Sequence, residues 1–439
     1  MMDLKIKIPR RRQFYALFSI LMLLLLFRYA LLVHFPSIVF VAVLAMIAFM
    51  GDRDEILAVC VCCIPLCAAM QYYYVVSFCI IVYLLKYGRD IKLDFSFVPM
   101  FLIIIWEILH CFSENTNFKA LIAMTLPYIL FIVLISIRDI KPDYSFIVRV
   151  FSVMVLCTVL VMIVRLLIVS NYDLNSVFMN MYRLGSNSSE ESTEFIINPN
   201  SLGIQCVLAI SCLMQLRMNG QKKAGDLVMI ISLLVLGALT ASRTYLACLL
   251  IMVAFLFWAS KGGVKKKLKL LIGSLLFVLI AIVILYLLFP AALEAFVKRL
   301  QVDDLSGGRL RLFVQYNEYL MSSVKSLLWG IGSLDLPWKV KAYSISEGVP
   351  HNGIQEILVA WGILGLLLFL ALIYVLIRRS KQENPHQTKM NYLLLVILFA
   401  KALVGQVITS PYTMLAFALV YLSLCYDFSS TEQVNQSRL

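Results

Sequence analysis

The sequence predicts an all-α, polytopic membrane protein with about 14 transmembrane helices and a large external loop before the twelfth helix. Of its 439 residues 62% are hydrophobic and 14% are charged, and the mean hydropathy is +0.91. These values lie outside the range of soluble folds. Apolar runs close to the roughly 20 residues that cross a hydrocarbon core recur to the end of the chain. Helices pair the backbone groups of such runs internally, as lipid requires.

Fourteen apolar runs predict the crossings. The first follows a basic tail and lacks a small-residue cleavage pattern, so we expect it to be retained as a span. The stretches 56–85 and 227–260 are each predicted as two spans, because the parity of the charged loops favours a hairpin in both. In 227–260, about 34 residues at ~1.5 Å each would also overshoot a ~30 Å core. The predicted spans are 14–33, 37–50, 56–70, 72–85, 95–112, 118–137, 146–170, 200–216, 227–240, 244–260, 270–289, 353–377, 390–408 and 411–426.

The distribution of positive charge predicts that both termini are cytoplasmic. With the N-terminal tail inside, lysine and arginine concentrate in the inside loops, as cytoplasmic loops do. Outside, apart from 290–352, we find only Lys119, Arg183 and Arg243. The net charge of +13 is dispersed among short loops, so nucleic acid is not expected as a partner.

The chain divides into three predicted parts. An N-terminal transmembrane bundle spans 1–182, a core spans 183–377 and includes the external loop 290–352, and a C-terminal hairpin with its tail spans 378–439. Within the loop, 293–302 and 309–328 carry apolar residues at helical spacing, which predicts short interfacial helices. The loop is basic. Long loops translocate largely regardless of charge, so this basicity agrees with an external position, and it favours an anionic ligand.

Three helices that start at the outer face begin with polar residues. Helix N-termini present N–H groups and a positive dipole end, which favour phosphate. Arg243 lies between two apolar spans, where a cation needs a partner such as a diphosphate or a carboxylate. A snorkelling arginine is the open alternative. The three helix starts are Asn198-Pro199-Asn200-Ser201, Ser242-Arg243-Thr244 and His351-Asn352.

His351 is the histidine that adjoins the basic loop, since His386 falls in a predicted cytoplasmic loop, His34 in a tight turn and His110 at the end of a span. A lone histidine at a helix start is more often structural than catalytic, but these surroundings favour a role in proton transfer. Arg309 and Arg311 open an amphipathic segment. Guanidinium groups bind phosphate oxygens bidentately, although such a pair is usually a solvated face.

Other polar groups are interpreted as structural. Asp52-Arg53-Asp54 has the form of a metal-binding motif of nucleotide-sugar transferases, but it fills a short turn. Walker, HExxH and Gly-x-Ser-x-Gly motifs are absent from the sequence, and we expect no metal or cofactor. A metal site is improbable at Cys60, Cys62, Cys63 and Cys67. Charged residues within or beside spans are expected to pair inside the bundle or to snorkel; these are Arg28, Arg149, Arg165 and Lys401.

Four motifs in order resemble the O-antigen polymerase and ligase superfamily. The resemblance covers about 183–370, and the residues before about 180 are similar only in being hydrophobic spans. The motifs are Asn198-Pro199-Asn200-Ser201-Leu202-Gly203, then Leu239-Thr240-Ala241-Ser242-Arg243, then Gly308-Arg309 with Leu328-Trp329-Gly330-Ile331-Gly332, and then Pro350-His351-Asn352 with Gly362 and Gly365.

This resemblance implies a GT-C-like membrane glycosyltransferase that uses polyprenyl-diphosphate-linked glycans at the outer face of a bacterial cytoplasmic membrane. By analogy with the family, Arg243 and Arg309 would hold the donor diphosphate and His351 would assist the acceptor hydroxyl. We expect further substrate contacts from Arg183, Asn200, Ser242, Arg311 and Asn352. Many members have an acidic residue two positions before the glycine matched by Gly362, whereas this chain has Ala360.

The leading hypothesis is a polymerase of O-antigen or capsular polysaccharide that transfers a lipid-linked chain onto a lipid-linked repeat unit. A ligase that moves finished glycan to lipid A, cell wall or protein stays open, because the sequence does not name the acceptor. A flippase or transporter is less favoured, since the polar clusters lie at one face and repeated halves are not visible. Expected partners are the lipid-linked donor and acceptor, membrane lipid, a chain-length regulator and a flippase.

Overall fold

The computed structural model describes most of the chain, and its regular elements there are all helices. The described residues are 11–36, 38–70, 73–92, 95–113, 118–136, 142–173, 184, 197–260, 263–300, 309–334, 336–341, 350–379, 385–405 and 411–425.

Nineteen α-helices occur in these ranges, and a π-helical turn (Leu26–Ala30) extends the first. The helices are α1 (Arg12–Leu25), α2 (Ile38–Met50), α3 (Arg53–Met70), α4 (Tyr73–Tyr87), α5 (Val98–Ser113), α6 (Phe118–Ser136), α7 (Tyr144–Val169), α8 (Pro199–Met218), α9 (Ala224–Ala238), α10 (Arg243–Ala259), α11 (Val264–Leu288), α12 (Pro290–Leu300), α13 (Arg309–Met321), α14 (Val324–Leu328), α15 (Leu336–Lys341), α16 (Gly353–Arg379), α17 (Pro385–Asn391), α18 (Leu393–Val404) and α19 (Pro411–Cys425).

A helix coincides with each predicted span, which confirms an all-helical, multi-pass membrane architecture. Six helical stretches are long and apolar enough to cross a membrane, as judged by length and composition alone. The count of 14 crossings and the GT-C-like arrangement stay predictions. The six stretches are Arg12–Ala30, Phe95–Phe112, Tyr144–Ile168, Pro199–Met218, Lys267–Leu288 and Gly353–Arg378.

The break predicted within 227–260 is present, whereas the one predicted within 56–85 falls at residues 71 and 72, outside the described residues. Helices α3 and α4 are separate and pack against each other, and α9 and α10 are separate and both pack against α8. The predicted helix 309–328 is instead divided into α13 and α14. The division follows from Ser323, which caps α14 by accepting a hydrogen bond from the Ser326 N–H at 3.0 Å.

Helices α3, α7, α8 and α19 form the centre of the bundle. Helix α8 packs against α7, α9, α10 and α18, and α19 packs against α3 and α6. Helix α8 is buried along almost its whole length, from Pro199 to Leu216. By contrast, α11 leaves most of its apolar side chains exposed, as expected of a helix that faces lipid.

Ion pairs join loops that the sequence placed on one side. Arg11 contacts Asp54 at 3.1 Å and Asp143 at 2.9 Å. Asp52 and Glu55 cap the start of α3 reciprocally, since Asp52 Oδ1 accepts from the Glu55 N–H and Glu55 Oε2 accepts from the Asp52 N–H. The structure therefore gives the Asp-X-Asp turn a structural role.

Arg149 is paired inside the bundle, as the sequence predicts. Its guanidinium donates to both carboxylate oxygens of Asp226, at 2.9 and 3.2 Å, and to the Gln221 carbonyl at 3.1 Å. Asp226 is 1% exposed. The bidentate geometry offsets the cost of taking both charges out of water.

At the opposite end of the bundle, helices α13, α14 and α15 form a small layer over the start of α16, which we call the external layer. It consists of residues 309–334 and 336–341. Its apolar interior is separate from the main core and includes one residue of α16. The buried residues of this interior are Leu312, Tyr316, Tyr319, Leu320, Ile331, Leu336, Val340 and Val359.

A close backbone crossing joins the external layer to α16. Gly362 interrupts α16 with φ 66° and ψ −169°, and a break of this kind withdraws N–H donors from the preceding turn. Two carbonyls of that turn accept from the external layer instead: Val359 from the Ile331 N–H at 3.1 Å and Ala360 from the Gly332 N–H at 2.7 Å. Helices kinked inside membrane bundles are stable when neighbouring segments pair the freed groups in this way.

We predict that Gly362→Ala destabilises the protein strongly. A Cβ at this position would lie 2.2 Å from the Leu328 carbonyl oxygen, and the left-handed backbone alone costs a side chain about 1–3 kcal/mol. Thermal unfolding of the purified protein in detergent measures the effect. Gly225→Ala in α9 is the control, because no heavy atom lies within 4 Å of its Cβ position. Equal melting temperatures for the two variants would contradict the crossing.

Candidate functional site

Side-chain caps are present at the three polar helix starts. Asn198 Oδ1 accepts from the Asn200 N–H at 2.9 Å, and Ser242 Oγ accepts from the Tyr245 N–H at 3.2 Å. Asn352 Oδ1 accepts from the N–H groups of Ile354 and Gln355 at 3.0 and 3.1 Å. Each cap accepts a hydrogen bond from some of the free N–H groups at its helix start, and the positive end of each helix dipole remains.

Direct hydrogen bonds tie these helix starts to their surroundings. Ser242 Oγ donates to Asn200 Oδ1 at 2.8 Å, which joins the starts of α8 and α10. Asn352 Nδ2 donates to the Leu403 carbonyl at the end of α18 at 3.3 Å, and α18 packs against α10 and α16. The predicted substrate contacts Asn200, Ser242 and Asn352 therefore lie at the same end of the bundle.

The turn before Arg243 is strained. Ala241 is 5% exposed and has φ 44°, in the left-handed region that non-glycine residues seldom occupy. Strain of this kind persists where the surrounding structure imposes it. Leu184 contributes to that surrounding structure by donating its N–H to the Leu239 carbonyl at 3.1 Å. Arg183, predicted to contact substrate, lies outside the described residues.

Arg309 interacts electrostatically with both Arg243 and His351. Burial lowers the pKa of Arg309, and the positive charge of Arg243 lowers it further. Burial likewise lowers the pKa of His351 below its ordinary 6.5, and the charge of Arg309 adds to this effect. The structure thus brings the three residues predicted as catalytic into one electrostatic cluster, which we call the cationic site.

Arg309 and Arg311 lie on different sides of α13. Arg309 precedes the buried Leu312 and Tyr316 by three and seven residues, a spacing that places all three on one helical face. The side chain of Arg311 is exposed. Arg309 is therefore part of the cationic site, whereas the position of Arg311 suits contact with a ligand that extends beyond it.

Helix α13 is held onto α16 next to His351. Gln355 Nε2 donates to the Phe313 carbonyl at 2.7 Å and to Asn317 Oδ1 at 2.9 Å. Burial raises the pKa of Tyr316, and the carboxylate of Glu356 raises it further, so these two side chains are also neighbours. These contacts fix the start of α13, with Arg309, beside the start of α16.

A polar cluster on α5 lies under the external layer, and the sequence analysis did not assign it a role. Glu107 and His110 are each 1% exposed. Glu107 accepts from the Ser333 N–H at 3.1 Å and from the Trp361 indole N–H. His110 Nε2 lies 3.2 Å from the Trp329 carbonyl. The available signal was a single acidic residue inside an apolar span, which is costly and therefore usually functional.

The departure from the family pattern at Ala360 has a structural counterpart. Ala360 is fully buried at the crossing, and its carbonyl accepts from Gly332. The carboxylate of Glu107 binds the two residues next to this pair, Ser333 and Trp361. A buried carboxylate is therefore present close to this position, although it comes from α5 rather than from α16.

Comparison with known proteins identifies one family. Residues 227–370, which are 144 of the 439 residues, match the family model described as O-antigen ligase. No curated protein matches the chain. The matched segment contains Arg243, Arg309 and His351, and it confirms the resemblance to the O-antigen polymerase and ligase superfamily, whose members are membrane glycosyltransferase-like enzymes.

We predict that Arg309→Gln raises the pKa of His351. The substitution removes a positive charge that favours the neutral imidazole, so the pKa moves up towards 6.5. Diethyl pyrocarbonate reacts with neutral histidine, and its rate at His351, followed by mass spectrometry from pH 5 to 8, gives the pKa without any need for turnover. Arg311→Gln on the exposed side of α13 is the matched control, and a similar shift in both variants would contradict the assigned geometry.

Proposed function

We propose, from the match of residues 227–370 to the family model described as O-antigen ligase, that this protein is a polysaccharide polymerase. It transfers a growing glycan from a polyprenyl diphosphate onto a lipid-linked repeat unit. The observation that carries the proposal is the cationic site, in which two arginines and a histidine with a lowered pKa meet at one end of a membrane bundle.

The arginines suit the leaving group. When the acceptor hydroxyl attacks the anomeric carbon and displaces the diphosphate, negative charge develops on the oxygen that leaves that carbon and on the phosphates. Arg243 and Arg309 repel each other in the protein alone, and a diphosphate between them relieves this repulsion while it receives charge-assisted hydrogen bonds. Because these contacts strengthen as charge develops, they stabilise the transition state more than the substrate.

His351 suits the incoming hydroxyl. Its lowered pKa keeps the imidazole neutral at pH 7, and a neutral imidazole accepts the proton that the acceptor hydroxyl loses as it attacks. The rate should fall as the pH drops through this pKa, which lies below 6.5. A single in-line displacement inverts the anomeric configuration, and we propose that it proceeds without a divalent metal.

The proposal includes the cellular setting. The cationic site faces the outside of a bacterial cytoplasmic membrane and both termini lie inside, in accord with the positive charge of the predicted inside loops. The donor and acceptor are delivered by a flippase, and the product length is set with a chain-length regulator. The described contacts support this arrangement by joining predicted inside loops to one another, as Arg11 does with Asp54 and Asp143.

A ligase is the second candidate, because the matching family model is described as O-antigen ligase. The same arginines and histidine would serve it, since the donor chemistry is shared. The two candidates differ in the acceptor: a polymerase uses a second lipid-linked repeat unit, whereas a ligase uses a molecule of another class.

We predict that His351→Ala and Arg243→Ala each abolish polymer while lipid-linked single repeat units accumulate. Arg243→Lys should retain only part of the activity, because lysine keeps the charge but not the guanidinium fork. Electrophoresis of the cell-surface glycan and mass spectrometry of the lipid-linked pool measure both outcomes. Lys325→Gln, an exposed change in the same external layer, is the control, and normal chain lengths in the His351 or Arg243 variant would refute the proposal.

Reconstitution separates the candidate functions. We expect purified protein in liposomes to elongate lipid-linked repeat units when they are the sole glycan present, because donor and acceptor are then the same molecule. A ligase would leave them unchanged until an acceptor such as lipid A is added. Movement of the lipid-linked units across the bilayer without new glycosidic bonds would identify a flippase instead.

A further inference from the structure

We propose that Glu107 is a positioning residue, which holds the external layer against α16 and thereby keeps Arg309 beside Arg243 and His351. The functional importance of this alignment rests on the proposed function. The contact itself can be tested without any assay of that function.

The contacts of Glu107 join three separate parts of the fold. Glu107 belongs to α5, Ser333 belongs to the external layer, and Trp361 belongs to α16. The carboxylate accepts from the Ser333 N–H, at 3.1 Å to Oε1 and 3.4 Å to Oε2, and from the Trp361 indole N–H. A single buried side chain therefore binds both segments of the backbone crossing between the external layer and α16.

Neighbouring residues of α5 reinforce this anchor. Trp106 Nε1 donates to the Trp361 carbonyl at 3.2 Å, and the Trp106 and Trp329 ring centroids are 4.2 Å apart. His110 contacts the Trp329 carbonyl through Nε2 at 3.2 Å. Helix α5 thus contacts the same short stretch of the external layer at Trp329 and Ser333, on either side of Gly330 and Gly332.

A buried carboxylate at this position is unfavourable unless strong hydrogen-bond donors surround it. Glu107 is 1% exposed and lies in one of the helices able to cross a membrane, where burial of a carboxylate is strongly unfavourable without strong donors. Hydrogen bonds to an ionised acceptor are roughly twice as strong as neutral ones. The hydrogen bonds to the Glu107 carboxylate therefore strengthen the attachment of the external layer at Ser333.

The attachment reaches Arg309 through a short, packed route. Ile331 and Leu336 on either side of Ser333 share the interior of the external layer with Leu312, one turn after Arg309. That interior also includes Val359 of α16, four residues after Gln355, which holds α13. If the Ser333 side of the layer loosens, the face of α13 that carries Arg309 loses its packing partner.

Glu107→Gln tests this inference in the full-length protein. We expect the pKa of His351, measured by the pH dependence of its diethyl pyrocarbonate modification, to rise in this variant, in the same direction as in Arg309→Gln and by less. The rise follows because Arg309 moves away from the imidazole. Loss of a negative charge acting directly on His351 would lower its pKa, so the direction separates positioning from simple electrostatics.

Glu55→Gln is the matched control, because Glu55 is also a buried carboxylate that accepts from a backbone N–H, but at the opposite end of the bundle. The pKa of His351 in the Glu55→Gln variant should equal that in the unsubstituted protein. If Glu107→Gln does not fold, Trp361→Phe removes one of the two donors and should produce the same upward shift. An unchanged or lowered His351 pKa in the folded Glu107 or Trp361 variant would overturn the inference.

The two proposals fail separately. The modification rate reports the position of Arg309 whether or not the protein transfers glycan. A raised His351 pKa in Glu107→Gln together with normal polymer in Arg243→Ala would support the anchor and refute the polymerase. Loss of polymer in Arg243→Ala with no shift in Glu107→Gln would do the reverse.

Discussion

The backbone crossing between the external layer and α16 is the constraint on which the site depends. A Cβ at Gly330 would lie 2.5 Å from the Ala360 carbonyl oxygen, and one at Gly362 would lie 2.2 Å from that of Leu328. The two backbone segments approach so closely that a side chain fits in neither of them at the point of contact, and each has a glycine there. The freed carbonyls of the kinked helix then accept from Ile331 and Gly332, so the break in α16 and the docking of the external layer are one structural event.

Function follows from what this docking brings together. Arg309 starts α13, Arg243 starts α10 and His351 precedes α16, so each comes from a different part of the fold, and the docked external layer brings the first beside the other two. The like charges of Arg243 and Arg309 and the burial of Arg309 make this arrangement unfavourable, as the lowered pKa of Arg309 indicates. Two buried or half-buried arginines held close to each other in this way fit the proposed binding of a diphosphate.

Much of the architecture was predictable because it depends on local patterns. Apolar runs located the helices, and polar residues marked the starts of α8, α10 and α16, where the structure adds the capping roles of Asn198, Ser242 and Asn352. The division of 309–328 was missed, since the capping role of Ser323 competes with a continuous apolar spacing. The roles of Glu107 and Gly330 could not be predicted from the sequence, because they depend on contacts with residues at least 30 positions away. The family resemblance already distinguished Arg309 from Arg311, and the orientation of α13 adds that Arg309 shares a face with buried residues whereas Arg311 is exposed.

In the proposed mechanism, a diphosphate binds between Arg243 and Arg309, with His351 at the reacting carbon. The most direct measurement is an experimental structure of the protein with a bound polyprenyl-diphosphate-linked sugar. We expect phosphate oxygens to contact both guanidinium groups and the anomeric carbon to face the His351 imidazole. A diphosphate bound at the opposite end of the bundle, or in contact with neither arginine, would contradict this mechanism.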